Sequence, residues 1–391
     1  VYKGAEELSM TQRSAFLYSQ RFGDFSYGDD HPFKVLRYRL AYELVSELGL
    51  LNSETVRQVE CPLIEESALL GFHAADYLQT LKEFSASATA RANFRFGLGD
   101  VENPIFPGVY EWARLGCGGT LEAARMVADG EVEVAFSMAG GYHHAQPARA
   151  SGFSYLNDAV VAIQALLGRG LRVAYVDIDA HHGDGVQQAF YASDQVLTIS
   201  LHETGENFFP QTGFVHELGE GKGFGYAVNI PFRAHADDLI FEQAFKQLVS
   251  PLLAAYRPDI LVTQMGVDGL RTDPLSRLEL TSGSIELAAR CFAQLGIPWV
   301  ALGGGGYDKF NVARCWTLLW AIMSRAQVPD ELPPLYQQTI STLGRRETLL
   351  RDQPRLAHPD DYGRAQRALD QSLAYLQRKL FPLHGLTAGG L

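Results

Sequence analysis

The stretch 175–185, "YVDIDAHHGDG", carries five ionisable side chains within eight residues: Asp177, Asp179, His181, His182 and Asp184. The apolar run that overlaps its start, "LRVAYV" at 171–176, reads as a buried strand. A fold gains nothing from ending such a strand in carboxylates and imidazoles, because buried carboxylates are costly unless they are paired or bind a metal. The stretch therefore reads as a site at a strand end, and its other half must come from elsewhere in the chain.

Further short apolar runs follow the same rule. Strands are predicted at 132–138, 172–178, 195–201, 226–230, 259–265 and 298–302. Helical patterns lie at 111–129, 157–168, 184–192, 238–256, 283–295 and 311–325. The alternation predicts an α/β fold, a single open parallel sheet flanked by helices on both faces. Residues 1–100 read as mostly helical, with 34–49 amphipathic. The tail after about 327 opens with "VPDELPP" and regains helical pattern at 362–380. It reads as an extension packed on the same domain or partly loose.

Ligands of open parallel sheets bind beyond the carboxyl ends of the strands. Five predicted strand ends carry polar chemistry: "AGGYHHA" with His143 and His144; Asp179, His181, His182 and Asp184; His202 before "GENFFPQTG"; "GVDGLRTDP" with Asp268; and "GGGGY" with Tyr307. Asp179 and His181, two apart on an extended segment, face the same way. With Asp268 they supply one imidazole and two carboxylates, a set suited to catalytic zinc or iron(II) with an open position for water. His143 and His144 are placed as general base and acid. Asp177 and Asp184 are natural partners to orient those rings. Tyr307 can hydrogen-bond an oxyanion opposite the metal. These parts make a metal-assisted amide hydrolase. Singly, each has an ordinary reading: a satisfied core histidine, a helix cap at Asp179, turn work at Asp268, a packed aromatic at Tyr307. Five on one edge of one sheet do not. His31, His73, His202, His216 and His235 read as structural.

Composition narrows the field. The chain has 391 residues, a formal net charge of −12 and no basic run, which argues against nucleic acid or an anionic membrane as partner. Four dispersed cysteines without a CxxC fit a reduced, cytoplasmic chain. No apolar stretch reaches the roughly 18 residues of a membrane span. The N-terminal residues lack a basic-then-apolar signal pattern.

The motifs "AGGYHHA", "SGFSYLNDAV", "YVDIDAHHGDGVQQAFY", "FFPQTG" and "LGGGGYDKFNVARCW" resemble the zinc-dependent histone deacetylase family, from about 29–37 to 313–316. "FGLGDVENPIFPGVYE" at 96–111 and the C-terminal tail resemble its class I-like bacterial branch, which includes acetoin-utilization proteins. The resemblance implies the arginase–deacetylase fold, and the chain's own pattern divides it into a catalytic domain over 1–326 and an extension over 327–391. It implies one zinc on Asp179, His181 and Asp268, the paired imidazoles His143 and His144 backed by Asp177 and Asp184, and Tyr307 polarising the acyl carbonyl. His144 is preferred as base. Gly152 and Phe153 match one wall of an acyl-lysine tunnel. Phe209 matches the other, with Phe208 a rival because "GENFFP" has one residue more than the usual spacing. Leu275 falls at the rim, and Glu102 stands where nuclear relatives carry a rim aspartate. A potassium ion is implied at Asp177, Asp179, His181, Ser200 and Leu201, and a second at Phe190, Ser193, Val196 and Tyr226. Of three basic positions that bind inositol phosphate in nuclear relatives, one is Lys34, but the others are Pro274 and Phe310, so no such partner is expected. The substrate is an acyl-lysine protein or peptide or, alternatively, an acetylated polyamine or other small amine. A ureohydrolase is disfavoured, since Gly183 stands where its DAHxD motif needs aspartate. A non-catalytic binding protein is disfavoured because every motif position is filled.

Overall fold

The computed structural model describes residues 12–87 and 92–387; the start of the chain, read above for a signal pattern, lies outside the described residues. Eight strands follow in order: β1 (Ser14–Tyr18), β2 (Val56–Glu60), β3 (Val134–Ser137), β4 (Val173–Asp177), β5 (Val196–Glu203), β6 (Ala227–Phe232), β7 (Ile260–Gln264) and β8 (Trp299–Leu302). They form one sheet in the order β2-β1-β3-β8-β7-β4-β5-β6. Every neighbouring pair is parallel. β4, β5 and β7 are buried at every position, which in a parallel sheet requires cover on both faces. The helices that concern the site are α1 (Leu36–Glu47), α2 (Val109–Ala128), α3 (Asp158–Leu167), α4 (Asp184–Phe190), α5 (Ser282–Gln294), α6 (Lys309–Met323) and α7 (Pro359–Leu380).

Two expectations need correction. Of the residues described up to 100, most are not helical, and β1 and β2 lie among them. β1 is only five residues long, and β2 is a polar edge strand, "VRQVE", with exposed Arg57, Gln58 and Glu60. Neither carries the long apolar run that marks a buried strand, and charge on an edge is what guards it against further pairing. β1 is nonetheless core: the Phe16 ring packs 5.7 Å from Phe136 and 5.1 Å from Trp320. Phe16→Ala is expected to lower unfolding free energy by about 3–5 kcal/mol in urea titrations. A loss below about 1 kcal/mol would show that β1 is dispensable to the sheet.

The helix predicted over 238–256 is broken. It runs as α-helix over Asp238–Ala244, as π-helix over Phe245–Val249, and as α-helix again over Ser250–Tyr256. Pro251 explains this: its ring crowds the carbonyl four residues back and it has no N–H to donate. That carbonyl, on Gln247, instead accepts from Gln377 Nε2 of α7 at 3.2 Å. Over its described residues the C-terminal stretch packs against the rest of the chain. Ala365, Leu369, Leu373, Leu376 and Leu380 form the buried stripe of α7, and Asp237 Oδ2 accepts the N–H of Ala357.

The central strands place the site. Ser137 pairs with Leu302, Leu302 with Gln264, and Gln264 with Asp177. The carboxyl ends of β3, β8, β7 and β4 are thus level, and four loops leave the sheet along one line.

Candidate metal and catalytic site

Each of the four loops brings polar groups to the same place. The loop after β4 turns tightly enough that Asp177 Oδ1 accepts the Asp179 N–H at 3.1 Å, and Asp179 Oδ1 accepts the His181 N–H at 3.0 Å. The loop after β7 sends in Asp268, whose Oδ1 accepts the Ala180 N–H at 2.7 Å. His181 Nδ1 then lies 2.8 Å from Asp268 Oδ2 and 3.2 Å from Asp179 Oδ1. Asp179, His181 and Asp268 are buried, with ligand atoms all within 4.8 Å of one another, close enough to hold one metal ion.

The surroundings fit such an ion. Asp179 Oδ2 accepts from Gln264 Nε2 at 2.6 Å and from the Gly305 N–H at 2.7 Å, which aims the carboxylate. A Cβ at Gly305 would meet Asp268 Oδ2 at 2.3 Å, and one at Gly266 would meet Asp179 Oδ2 at 2.3 Å. Glycine is thus required where the backbone closes round both carboxylates. Burial alone would push the His181 imidazole down, but Asp268 and Asp179 outweigh it and raise it to about 10. The two carboxylates demand positive charge between them, and a divalent ion answers that demand.

Beside this cluster lie the two imidazoles from the loop after β3. His143 Nδ1 contacts Asp177 Oδ2 at 2.7 Å, and His144 Nδ1 contacts Asp184 Oδ1 at 2.7 Å. Asp177 Oδ2 also accepts the Tyr175 hydroxyl, and Asp184 Oδ2 accepts Gln146 Nε2. With both Nδ1–H groups donated to carboxylates, the Nε2 atoms meet at 3.0 Å. That contact needs a proton on one Nε2, so one ring is imidazolium and the other neutral. Asp177 is fully buried while the Asp184 side chain is 20% exposed, which puts the charge on His143. The same asymmetry separates their basicities. Burial opposes protonation of His143, but Asp177 and Asp179 outweigh it and raise the ring to about 9. Burial and the neighbouring His143 charge lower His144 to about 4.

One pocket is lined by His143, His144, Gly152, Phe153, Asp179 and Tyr307 together. Phe153 holds a left-handed φ of 66° with its carbonyl accepting from the Tyr27 hydroxyl at 2.9 Å, a constrained backbone at a wall position. Its ring lies 5.6 Å from that of Tyr307. Phe209 packs edge-on to His144 at 4.9 Å, whereas Phe208 stacks on His181 at 4.6 Å. A Cβ on Gly152 would meet His144 Cδ2 at 2.4 Å and Phe209 Cε1 at 2.9 Å, so Gly152 and Phe209 border the same space. Burial and the charge of Asp268 keep the Tyr307 phenol protonated, a donor rather than a base.

The remaining predicted residues sit further out. Leu275 is half-buried on the β7 loop, its N–H donated to Asp273 Oδ1. Glu102 is exposed; its carbonyl bonds His31 Nε2 at 3.1 Å, and the His31 ring packs on Phe153 at 4.6 Å. Ser200 is paired in register with Asp177, and its hydroxyl bonds His202 Nδ1. This sets Ser200 and Leu201 of β5 beside the β4 loop. The Phe190 carbonyl accepts the Ser193 N–H, and the Tyr226 carbonyl accepts the Thr198 N–H near Val196. Sequence reading missed Gln264, Tyr175, Gln146 and Asp273. It also missed Arg37, a buried guanidinium that lines the pocket and donates to the Gly306 carbonyl at 3.0 Å. A polar residue closing an apolar strand, as Gln264 does in "ILVTQ", was the available signal.

Comparison with known proteins bears on this arrangement. The histone deacetylase domain model matches residues 31–323. Human histone deacetylase 1 is 36% identical over 332 residues, 84% of this chain and 68% of that protein. The acetoin utilization protein AcuC of Bacillus subtilis is 39% identical over 329 residues, 82% of this chain and 84% of that protein. The crystal structure of an HDAC homolog from Aquifex aeolicus superimposes with a TM-score of 0.83 at 31% identity, covering 93% of this chain and all of that one. An HDAC homolog complexed with SAHA superimposes with a TM-score of 0.84 at the same identity. Sheet, site and sequence agree, and the chain belongs to the histone deacetylase family, on its AcuC-like branch.

Proposed function

We propose that the protein hydrolyses the amide of an acyl-lysine, releasing acetyl or another short acyl group from the ε-amine. The observation that carries this reading is the adjacency of two histidine–aspartate pairs and a three-residue metal set at one pocket, lined by His143, His144 and Asp179 with Phe153 and Tyr307. Zinc held by Asp179, His181 and Asp268 would polarise the acyl carbonyl and acidify water. His144, the neutral ring, accepts the proton of the attacking water at Nε2, which requires its 3.0 Å contact with His143 Nε2 to open as substrate and water enter. His143, the imidazolium, balances the negative charge of the tetrahedral state and donates to the departing amine from Nε2. Asp177 and Asp184 hold the two rings in the tautomer this requires. The Tyr307 hydroxyl donates to the developing oxyanion. Phe153 and Phe209 flank the aliphatic lysine stem and exclude water, Leu275 and Glu102 meet substrate at the rim, and potassium is assigned to the Ser200–Leu201 and Phe190–Tyr226 regions. With Pro274 and Phe310 at two of the three positions, inositol phosphate is not a partner, and cysteine usage fits the cytoplasm.

A two-metal ureohydrolase site is blocked sterically as well as by motif. A Cβ at Gly183 would meet Asp177 Oδ2 at 2.6 Å, so an aspartate ligand there displaces the His143 partner. The test is a panel of acyl-lysine peptides of increasing acyl length plus acetylated polyamines, assayed on metal-analysed protein with and without chelator. Chelator-sensitive turnover of acyl-lysine with about one zinc per chain is expected. Preference for the polyamines moves the substrate to small amines, which the net charge of −12 would also suit. No turnover on any member sinks the reading.

A further inference from the structure

Tyr307 follows four glycines, and Gly304 and Gly306 hold φ of 110° and 140°, a backbone that only glycine adopts readily. A loop of that composition has no side chains with which to fix itself. The orientation of Tyr307 must be imposed from outside: Asp179 and Arg37 hold the backbone before it at Gly305 and Gly306, and two further groups hold it at and just after Tyr307.

The first is Asp273, on the loop after β7. Its Oδ2 accepts the N–H of Tyr307 at 2.7 Å and of Asp308 at 3.3 Å, and its Oδ1 accepts the N–H of Leu275 at 3.0 Å. Asp273 is 5% exposed, and the acceptor contacts of its carboxylate are to backbone N–H groups. Burial and the nearby Asp268 raise it to about 7. A buried carboxylate beside a like charge is an expensive way to make a turn. What it gains here is a direct tie between the loop bearing Asp268 and Leu275 and the loop bearing Tyr307.

The second is Arg345, from the C-terminal stretch. Its guanidinium donates to Asp308 Oδ2 at 2.7 Å and to Glu347 Oε1 at 2.9 Å, and it lies over the Phe310 ring at 5.2 Å. Asp308 Oδ1 meanwhile caps α6 by accepting the N–H groups of Phe310 and Asn311. The residue after Tyr307 is thus held at its backbone by Asp273 and at its side chain by Arg345.

We infer that Asp273 and Arg345 are positioning residues for Tyr307, gripping its loop from two sides so that the phenolic oxygen stands where the oxyanion forms. The inference rests on the role proposed for Tyr307. It extends the working site into the segment beyond residue 326, which otherwise looks like a scaffold.

The test is a double-mutant cycle. Asp273→Asn keeps the shape but offers an NH2 where one oxygen accepted, so either the Tyr307 or the Leu275 tie is lost. Its kcat is expected to fall about tenfold or more, with KM changed less than about threefold and metal content unchanged, because misplacement by a fraction of an ångström is felt in the chemical step. Arg345→Met is expected to lower kcat several-fold. In a Tyr307→Phe background both substitutions should lose most of their effect, since the group they position is gone. Wild-type kcat in both variants, or an undiminished loss in the Tyr307→Phe background, overturns the inference. If Asp273→Asn does not fold, the Arg345→Met cycle decides it. Wild-type activity of Tyr307→Phe by itself would instead refute the role of Tyr307, a distinct failure read in the same experiment.

Discussion

Tyr307→Phe is expected to retain metal and fold and to lose about 10²–10³ in kcat. The figure is what one oxyanion donor is worth in a site that excludes water. The substitution removes a single oxygen. The ring keeps its packing against Phe153, 5.6 Å away, and the backbone keeps its bond to Asp273. Tyr307 is outside the metal set of Asp179, His181 and Asp268, so metal content has no reason to change. KM should move little, because the phenol is aimed at charge that develops after binding. The measurements are kcat and KM on an acyl-lysine peptide, metal analysis and far-ultraviolet circular dichroism. Activity within about threefold of the parent protein would remove Tyr307 from the mechanism. Loss of metal along with activity would make it a structural support of the cluster.

The contrast between Tyr307 and Asp273 shows what was legible before the fold. Tyr307 stands at a strand end, after glycines, and strand ends of a parallel sheet are where ligands bind. His143, His144, Asp179, His181 and Asp268 share that address, and the register of β3, β8, β7 and β4 brings their loops to one line. Asp273 shares it too, five residues after Asp268. Nothing in "GLRTDP" says that its carboxylate crosses to another loop, because the partners are backbone N–H groups more than thirty positions away. Tyr175 was hidden for a related reason, and Gln264 was marked only by its polarity at the close of a strand. Tyr175 lies inside an apolar strand and Gln264 ends one, and the meaning of each comes from which carboxylate is placed beside it. β1 and β2 were missed because short or polar strands gain stability from their neighbours rather than from their own pattern. The C-terminal tail read as a charged helix of open purpose. Its grip on the Gln247 carbonyl and on Asp308 depends on the break before Pro251 and on the loop after β8.

Asp268→Ala is expected to abolish both metal retention and turnover. Substitution of an outer partner of a ligand costs about 10–100-fold in metal affinity, and loss of a ligand itself should exceed that. The remaining set, Asp179 and His181, is one carboxylate and one imidazole from a single short segment, and no other described residue completes a cluster with them. The change also removes the acceptor of the Ala180 N–H, bonded at 2.7 Å inside a fully buried site. An orphaned buried donor costs about 1–3 kcal/mol, so part of any loss could reflect a displaced β4 loop. Asp268→Asn separates the two contributions. Its Oδ1 still accepts from Ala180, but the amide has lost the charge and the second oxygen that faces His181 Nδ1 at 2.8 Å. If Asp268 is a ligand, the asparagine variant should unfold at nearly the parent temperature when both are stripped of metal. It should still bind zinc at least about 100-fold more weakly by competition with a chromogenic chelator. Parent-like zinc affinity in Asp268→Asn, with loss only in Asp268→Ala, would assign the residue to holding the loop and leave the metal to other donors.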